Sequence, residues 1–255
     1  MPSVDVTKKE FETTGSISKV NPINSANILL STKKEDPLTS SYSPRVPRRV
    51  ICVFCGSSSG NSSAHIEAAR SLAHTLHSHK IDLIYGGGTL GLMGELAKTL
   101  VSLSGPDSVH GIIPAPFMNL SKNSRPSDLP DINIYGNTTV VKDMQTRKQM
   151  MVNEVSMGAP GSGFIALSGG YGTFEELMEV ATYHQIGIHD RGVIIYNVEG
   201  FWNSLLEWIR NSLEAGFVGP STSSIILEAK TAEQCVELLS TYKKSEGMYN
   251  FTWDI

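Results

Sequence analysis

Three times along the chain a short, continuous apolar run breaks directly into glycine and then into a helical pattern. The junctions are Cys55-Gly56-Ser57-Ser58-Ser59-Gly60, then Tyr85-Gly86-Gly87-Gly88-Thr89-Leu90-Gly91, then Leu167-Ser168-Gly169-Gly170-Tyr171-Gly172-Thr173. Apolar runs that lack polar alternation suit strands covered on both faces, which is the situation inside a parallel sheet. Strands are expected at residues 50–55, 82–85, 109–113, 164–167 and 193–196, with a weaker one at 225–227. Helical stretches alternate with them: 64–78, capped by Ser62 or Ser63, then 92–102, 143–156, 173–186, 201–215 and 232–243. The alternation predicts an α/β fold, a doubly wound parallel sheet with helices on both faces. Ligands of such sheets sit outside the carboxyl ends of the strands, so function is sought where strands run into glycine.

At roughly 150 residues per domain, 255 residues leave room for fewer than two. Residues 1–48 differ from the rest, with 13 Ser/Thr, five Pro, two aromatics and one glycine. That composition buries too little apolar surface to offset chain entropy, so a disordered or loosely attached extension is expected there. Asp5, Glu10, Glu12, Glu35 and Asp36 argue against a transit peptide, and no compact apolar core marks a secretory signal. One domain is expected over 49–245, followed by a tail at 246–255. The net charge is −4 with no Lys/Arg cluster, so no nucleic-acid partner is expected. No apolar run reaches the ~18 residues of a membrane span, and a cytoplasmic, membrane-free protein is expected.

Cys52-Val-Phe-Cys55 spells C-x-x-C, but it lies within a strand rather than at a helix start. Residues three apart on a strand face opposite sides, so the sulfurs diverge. Cys235 alone cannot complete a zinc site. Packed core cysteines are expected, with no metal.

Gly86, Gly88 and Gly91 satisfy G-x-G-x-x-G, a dinucleotide fingerprint. Its acidic partner belongs at the end of the next strand; Asp107 has the separation but precedes that strand, so NAD is not indicated. The first junction reads either as a plain βα turn or as an anion seat formed with Ser57. The third offers free amides and a helix dipole to a phosphate, with Glu175 and Glu176 expected in the first helical turn. Both acids suit the dipole alone. At 100° per residue, however, Leu177, Val180, Ala181 and His184 form the core stripe, with Glu176 on its shoulder and Glu175 nearly opposite. Glu175 is therefore expected to be a solvated dipole partner and Glu176 the candidate for chemistry. On the stretch 143–151, Met144, Met151 and Val155 form an apolar stripe with Lys148 on it and Arg147 at its edge. A basic residue among methionines calls for an anion, which makes Arg147 a candidate partner of phosphate or carboxylate.

Gly169-Gly-Tyr-Gly-Thr-Phe-Glu-Glu176 resembles the P-G-G-x-G-T-x-x-E motif of the LOG (Lonely guy) family, cytokinin riboside 5′-monophosphate phosphoribohydrolases often labelled lysine decarboxylases. Val53-Phe-Cys-Gly-Ser-Ser58, the run from Tyr85 to Gly94, Arg147-Lys148, Gln185-Ile-Gly-Ile-His189 and Asn197-Val-Glu-Gly200 agree, in order, from about Arg49 to Leu239. The resemblance implies a Rossmann-like nucleotide-binding catalytic domain, a homodimer or larger homo-oligomer, and no cofactor. It implies Arg147 and Glu176 as catalytic residues. Substrate contacts are implied at Lys148, Gly169, Gly170, Tyr171, Gly172, Thr173 and Thr182, with Ser57 and Gly87 from the other two junctions. The sequence departs from the family at Gln145, where M-H-x-R-K has histidine, and at Ser168, where the glycine motif has proline. Gln145 keeps hydrogen bonding without titrating, and Ser168 is expected to loosen the loop. The stretch 114–133 matches poorly and is expected to border the base pocket.

The implied activity is hydrolysis of the N-glycosidic bond of an N6-substituted adenosine 5′-monophosphate to free base and ribose 5-phosphate. Alternatives are a general AMP nucleosidase, a non-catalytic carrier of nucleotide or molybdenum cofactor, and a pyridoxal phosphate decarboxylase, for which no lysine stands out.

Overall fold

The structure, a computed structural model, describes residues 47–120, 129–244, 247–249, 251 and 253. The expected extension over 1–48, apart from Pro47 and Arg48, lies outside the described residues, as does half of the 246–255 tail.

Strands β1 (Val50–Phe54), β2 (Asp82–Tyr85), β3 (Val109–Pro114), β4 (Asn137–Val141), β5 (Gly163–Ala166), β6 (Gly192–Tyr196) and β7 (Ile226–Ala229) form one sheet. Its order is β4-β3-β2-β1-β5-β6-β7, and every neighbouring pair is parallel. Side chains on these strands alternate between two cores. Ile51, Val53, Leu83, Ile165 and Ile194 pack under helices α1 (Ser63–Ser78), α2 (Gly91–Ser104) and α7 (Ala232–Thr241). Cys52, Phe54, Ile84, Phe164 and Val193 pack under α4 (Met144–Met157), α5 (Tyr171–Gln185) and α6 (Asn203–Glu214). A four-residue helix α3, Ile132–Tyr135, precedes β4. The fold is the expected α/β sheet with helices on both faces. Leu72, Leu76, Leu96 and Leu100 are fully buried. Each stabilises the fold by roughly 2 kcal/mol of apolar transfer.

The three cysteines are free and buried, and Cys52 and Cys55 fall in opposite cores. Burial pushes all three thiols up, so none is a ready thiolate.

Strand β4 was not expected. Asn137-Thr-Thr gives it no apolar run, because it is an edge strand with side chains only half covered. Its register on β3, Gly111 opposite Thr138, places it, a long-range fact that local composition does not carry. Helix α5 starts at Tyr171, two residues earlier than expected, and α6 starts at Asn203, two residues later.

The sheet reverses winding at β1, with β2 on one side and β5 on the other. Helices leaving these strands diverge to opposite faces, which opens a crevice at the carboxyl ends of β1, β2 and β5.

Candidate active site

A cavity of about 490 Å³ occupies that crevice. All three glycine junctions contribute: Gly56 and Ser57, then Gly86, Gly87 and Gly88, then Gly170, Tyr171, Gly172 and Thr173. Phe117, Met118, Pro130, Met93 and Met144 form an apolar wall. Phe117, Met118 and Pro130 come from the stretch expected to border a base. The two first junctions touch. Gly91, at the start of α2, has φ +59, and a Cβ there would collide with the carbonyl carbon of Ser57. Asp107 lies in the turn ahead of β3, at its amino end, and has no part in the cavity.

The cavity holds a buried ion pair. Arg147 Nη2 donates to Glu176 Oε1 at 2.6 Å, with side-chain exposures of 9% and 8%. Two helices on the same face of the sheet bring these residues together, 29 positions apart. Gly86 makes the room, since a Cβ there would strike the guanidinium. Arg147 Nη1 reaches only the Met144 sulfur, at 3.7 Å, and buried Nε has no partner among the described residues. A buried donor without an acceptor costs about 1–3 kcal/mol, which suits a group held for a ligand. Burial raises the Glu176 carboxyl above its usual range; the Arg147 charge pulls the other way and Glu175 adds to the rise.

The amino end of α5 is open. Its N-cap, Gly170, has no side chain to accept from the first amides. By contrast, Ser62, Asp143 and Thr231 cap α1, α4 and α7, and the Gly56 carbonyl accepts from Leu92 and Met93 at the start of α2. The amides of Tyr171, Gly172 and Thr173 therefore lack intrahelical partners at the dipole's positive end. Thr173 is buried and folds back over Gly169, where a Cβ would collide with its hydroxyl.

Residues 93–239 match the family described as "Possible lysine decarboxylase". The chain is 52% identical over 193 residues to a bifunctional cytokinin biosynthesis protein of Fusarium pseudograminearum, covering 75% of this chain and 40% of that protein. It is 42% identical over 208 residues to the cytokinin riboside 5′-monophosphate phosphoribohydrolase LOG2 of Arabidopsis thaliana, covering 81% of this chain and 90% of that protein. The chain belongs to the LOG family. Among solved structures, the molybdenum cofactor binding protein of Rippkaea orientalis aligns over 76% of this chain and 96% of its own, with a TM-score of 0.53 and 18% identity. At that identity the likeness extends to the fold alone.

Within this LOG-family chain, the implied residues divide. Arg147, Glu176, Ser57, Gly87, Gly170, Tyr171, Gly172 and Thr173 line one cavity. Gly169 lies directly beneath, against Thr173. Lys148 does not line it. Its ammonium meets Glu175 at 2.5 Å and Glu179 at 3.0 Å. Burial opposes the Lys148 charge, but the two carboxylates outweigh it and hold its pKa above the usual value. The expected order on α4 is thus reversed: Arg147 is on the buried stripe with Met151 and Val155, and Lys148 is at its edge. The reversal follows from Glu176, which supplies a buried partner for Arg147 only once α5 has packed. Glu175 is exposed as expected, but its partner is Lys148 rather than the dipole, since both acids lie in the second helical turn. Thr182 is exposed, donates to the Met178 carbonyl and lies two turns beyond the cavity. Gln145 is exposed on α4. Ser168 is not loose: it is buried and hydrogen-bonded to His65, which no local pattern signalled.

No lysine lines the cavity among the described residues, so the side chains present do not fit a Schiff-base cofactor despite the family's description.

Proposed function

We propose that this protein is a cytokinin riboside 5′-monophosphate phosphoribohydrolase. It hydrolyses the bond between the base and the ribose of an N6-substituted adenosine 5′-monophosphate. The observation that carries this assignment is the buried Arg147–Glu176 pair on the floor of a cavity with an apolar wall and one open helix end. Family membership and the names of relatives at 42% and 52% identity support it.

The 5′-phosphate would accept from the free amides at the start of α5, and the substituted base would lie against Phe117, Met118 and Pro130. Cleavage of the glycosidic bond leaves positive charge on the sugar. Glu176, beside the ribose, stabilises that charge and takes a proton from the attacking water. Water supplies a hydroxyl to the anomeric carbon, and a proton ends on the departing base. Arg147 orients the nucleotide, its unpartnered Nε–H being available to a ligand oxygen. Holding these groups together needs no cofactor.

Two finer points belong to the same proposal. The protein acts as a homodimer or larger homo-oligomer: Tyr171 is 97% exposed, and Tyr171, Glu175 and Thr182 share one outer face of α5. Thr182, which lies outside its own cavity, belongs to that same exposed face. It works in the cytoplasm, a reducing compartment that suits three free cysteines.

The test is chromatography of base released from isopentenyladenosine 5′-monophosphate, AMP and isopentenyladenosine. Release from the first, with much less from the other two, is expected. Equal rates on AMP would make this a general nucleosidase, and tight binding without release would make it a carrier. Specific activity should fall on dilution through the dissociation range.

A further inference from the structure

The residue ahead of the α5 glycine loop is held from outside the loop. Ser168 is 5% exposed, and its hydroxyl lies 3.0 Å from Nδ1 of His65, in the first turn of α1 and 103 positions away. The Ser168 carbonyl accepts from Gly56 N at 2.9 Å, and Leu167 N donates to the Phe54 carbonyl at 2.9 Å. Backbone bonds thus fasten the stem to the end of β1, and one side-chain bond fastens it to α1. His65 is itself pinned. Its ring meets Phe201 edge-on with centroids 6.0 Å apart, and Gly60 passes so close that a Cβ there would lie 3.0 Å from its Cδ2. Beyond the stem, Gly170 and Gly172 have no packing to hold them, for a Cβ built at either meets nothing within 4 Å. A serine at 168 leaves φ unrestricted where a pyrrolidine ring would fix it, so the loop depends on contacts at its base.

We propose that His65 is a positioning residue for the α5 glycine loop: through Ser168 it fixes the stem so that the amides of 171–173 converge on a phosphate group. This rests on the assignment of that loop as the 5′-phosphate seat. His65 touches no substrate. It links the loops that follow β1, β5 and β6, and it makes a flexible serine stem behave as a rigid one. The amide of Ser168 has no backbone partner among the described residues, so a proline can stand there without breaking a backbone bond.

The experiment measures ribose 5-phosphate binding by titration calorimetry on the full chain, together with kcat and KM for isopentenyladenosine 5′-monophosphate. His65→Phe and Ser168→Ala should each weaken binding and raise KM by about tenfold while changing kcat less than threefold, as loss of one hydrogen bond allows. The double variant should be no worse than either single one, because both remove the same link. In a Ser168→Pro background, His65→Phe should cause no further loss. His65→Asn, which keeps a hydrogen-bonding group near Nδ1, should bind better than His65→Phe and guards against a simple folding defect. Additive losses, an undiminished effect of His65→Phe on the proline stem, or unchanged binding in both single variants would each overturn the proposal. Failure of the unmodified protein to bind ribose 5-phosphate overturns the phosphate seat and this proposal together. Normal base release with unchanged variants overturns this proposal alone.

Discussion

Arg147 and Glu176 face each other at 2.6 Å from α4 and α5, both almost wholly buried, while Arg147 keeps one donor, Nε, unused. A purely structural ion pair would satisfy its donors, since a buried donor left without an acceptor costs about 1–3 kcal/mol. The incomplete pairing is what a site looks like when its last acceptor is a substrate. It also separates Glu176 from Glu175, an adjacent acid of the same type with half its side chain in water.

Glu176→Gln is expected to lower base release by about a thousandfold or more while AMP still binds, because it removes transition-state charge stabilisation and little else. Glu175→Gln should stay within about tenfold, having lost only an exposed ion pair with Lys148. Single-turnover base release and equilibrium AMP binding read both. Equal losses in the two variants would contradict the division of roles between them.

The ion pair also makes a prediction about stability. Arg147→Met alone should destabilise by on the order of 3 kcal/mol, because Glu176 is left buried and unpaired. Arg147→Met with Glu176→Leu should recover most of that loss, and both proteins should be inactive. Urea melts that show the double variant less stable than the single one would mean the pair is a net source of stability.

Burial raises the Glu176 carboxyl, and the proposed chemistry needs it ionised, so activity falls as protons bind. The acid limb of kcat/KM should therefore lie above the ordinary glutamate value of about 4.3. Glu176→Gln should abolish the limb in whatever residual activity remains. A limb at or below that value would mean that the charge of Arg147 outweighs burial.

A second pH effect lies away from the cavity. His189 is 6% exposed, donates from Nε2 to the Val180 carbonyl and accepts at Nδ1 from Arg191 N, which fixes a neutral ring. Burial, with the neighbouring His184 adding to it, pulls its pKa down to about 4. The unfolded chain binds this proton below about 6.5 and the folded one does not, so stability is intact above 6.5 and falls as pH drops toward 4. The full loss amounts to about 3 kcal/mol. Denaturant titrations between pH 7 and 4 should show this slope, and His189→Gln should reduce it, leaving the part contributed by His184, whose pKa burial also lowers.

The buried strands and their helices were legible in the sequence because continuous apolar runs and a 3.6-residue period are local quantities. The same reason explains what was hidden. β4 carries Asn137-Thr-Thr, and only its pairing with Gly111 and Ile112 makes it a strand. Tyr171 and Gly172 read as loop, yet α5 begins with them. Helical spacing on α5 alone set Glu176 apart from Glu175, and the glycine junctions marked three walls of the cavity. Spacing on α4 put Lys148 rather than Arg147 on the buried stripe. That misplacement could not be corrected locally, because the partner that makes burial of Arg147 tolerable is on another helix. Ser168 gives the same lesson: alone it signals a looser loop, and His65, 103 residues earlier, reverses that. The layered α/β fold, the strand ends that line the cavity and the inward turn of one of two adjacent acids could all be read along the chain. Tertiary structure decided which basic residue meets that acid, what holds the glycine loop and where Thr182 points. Burial patterns are written along the chain, whereas the pairing of buried charges and hydrogen bonds depends on what the fold brings within 3 Å.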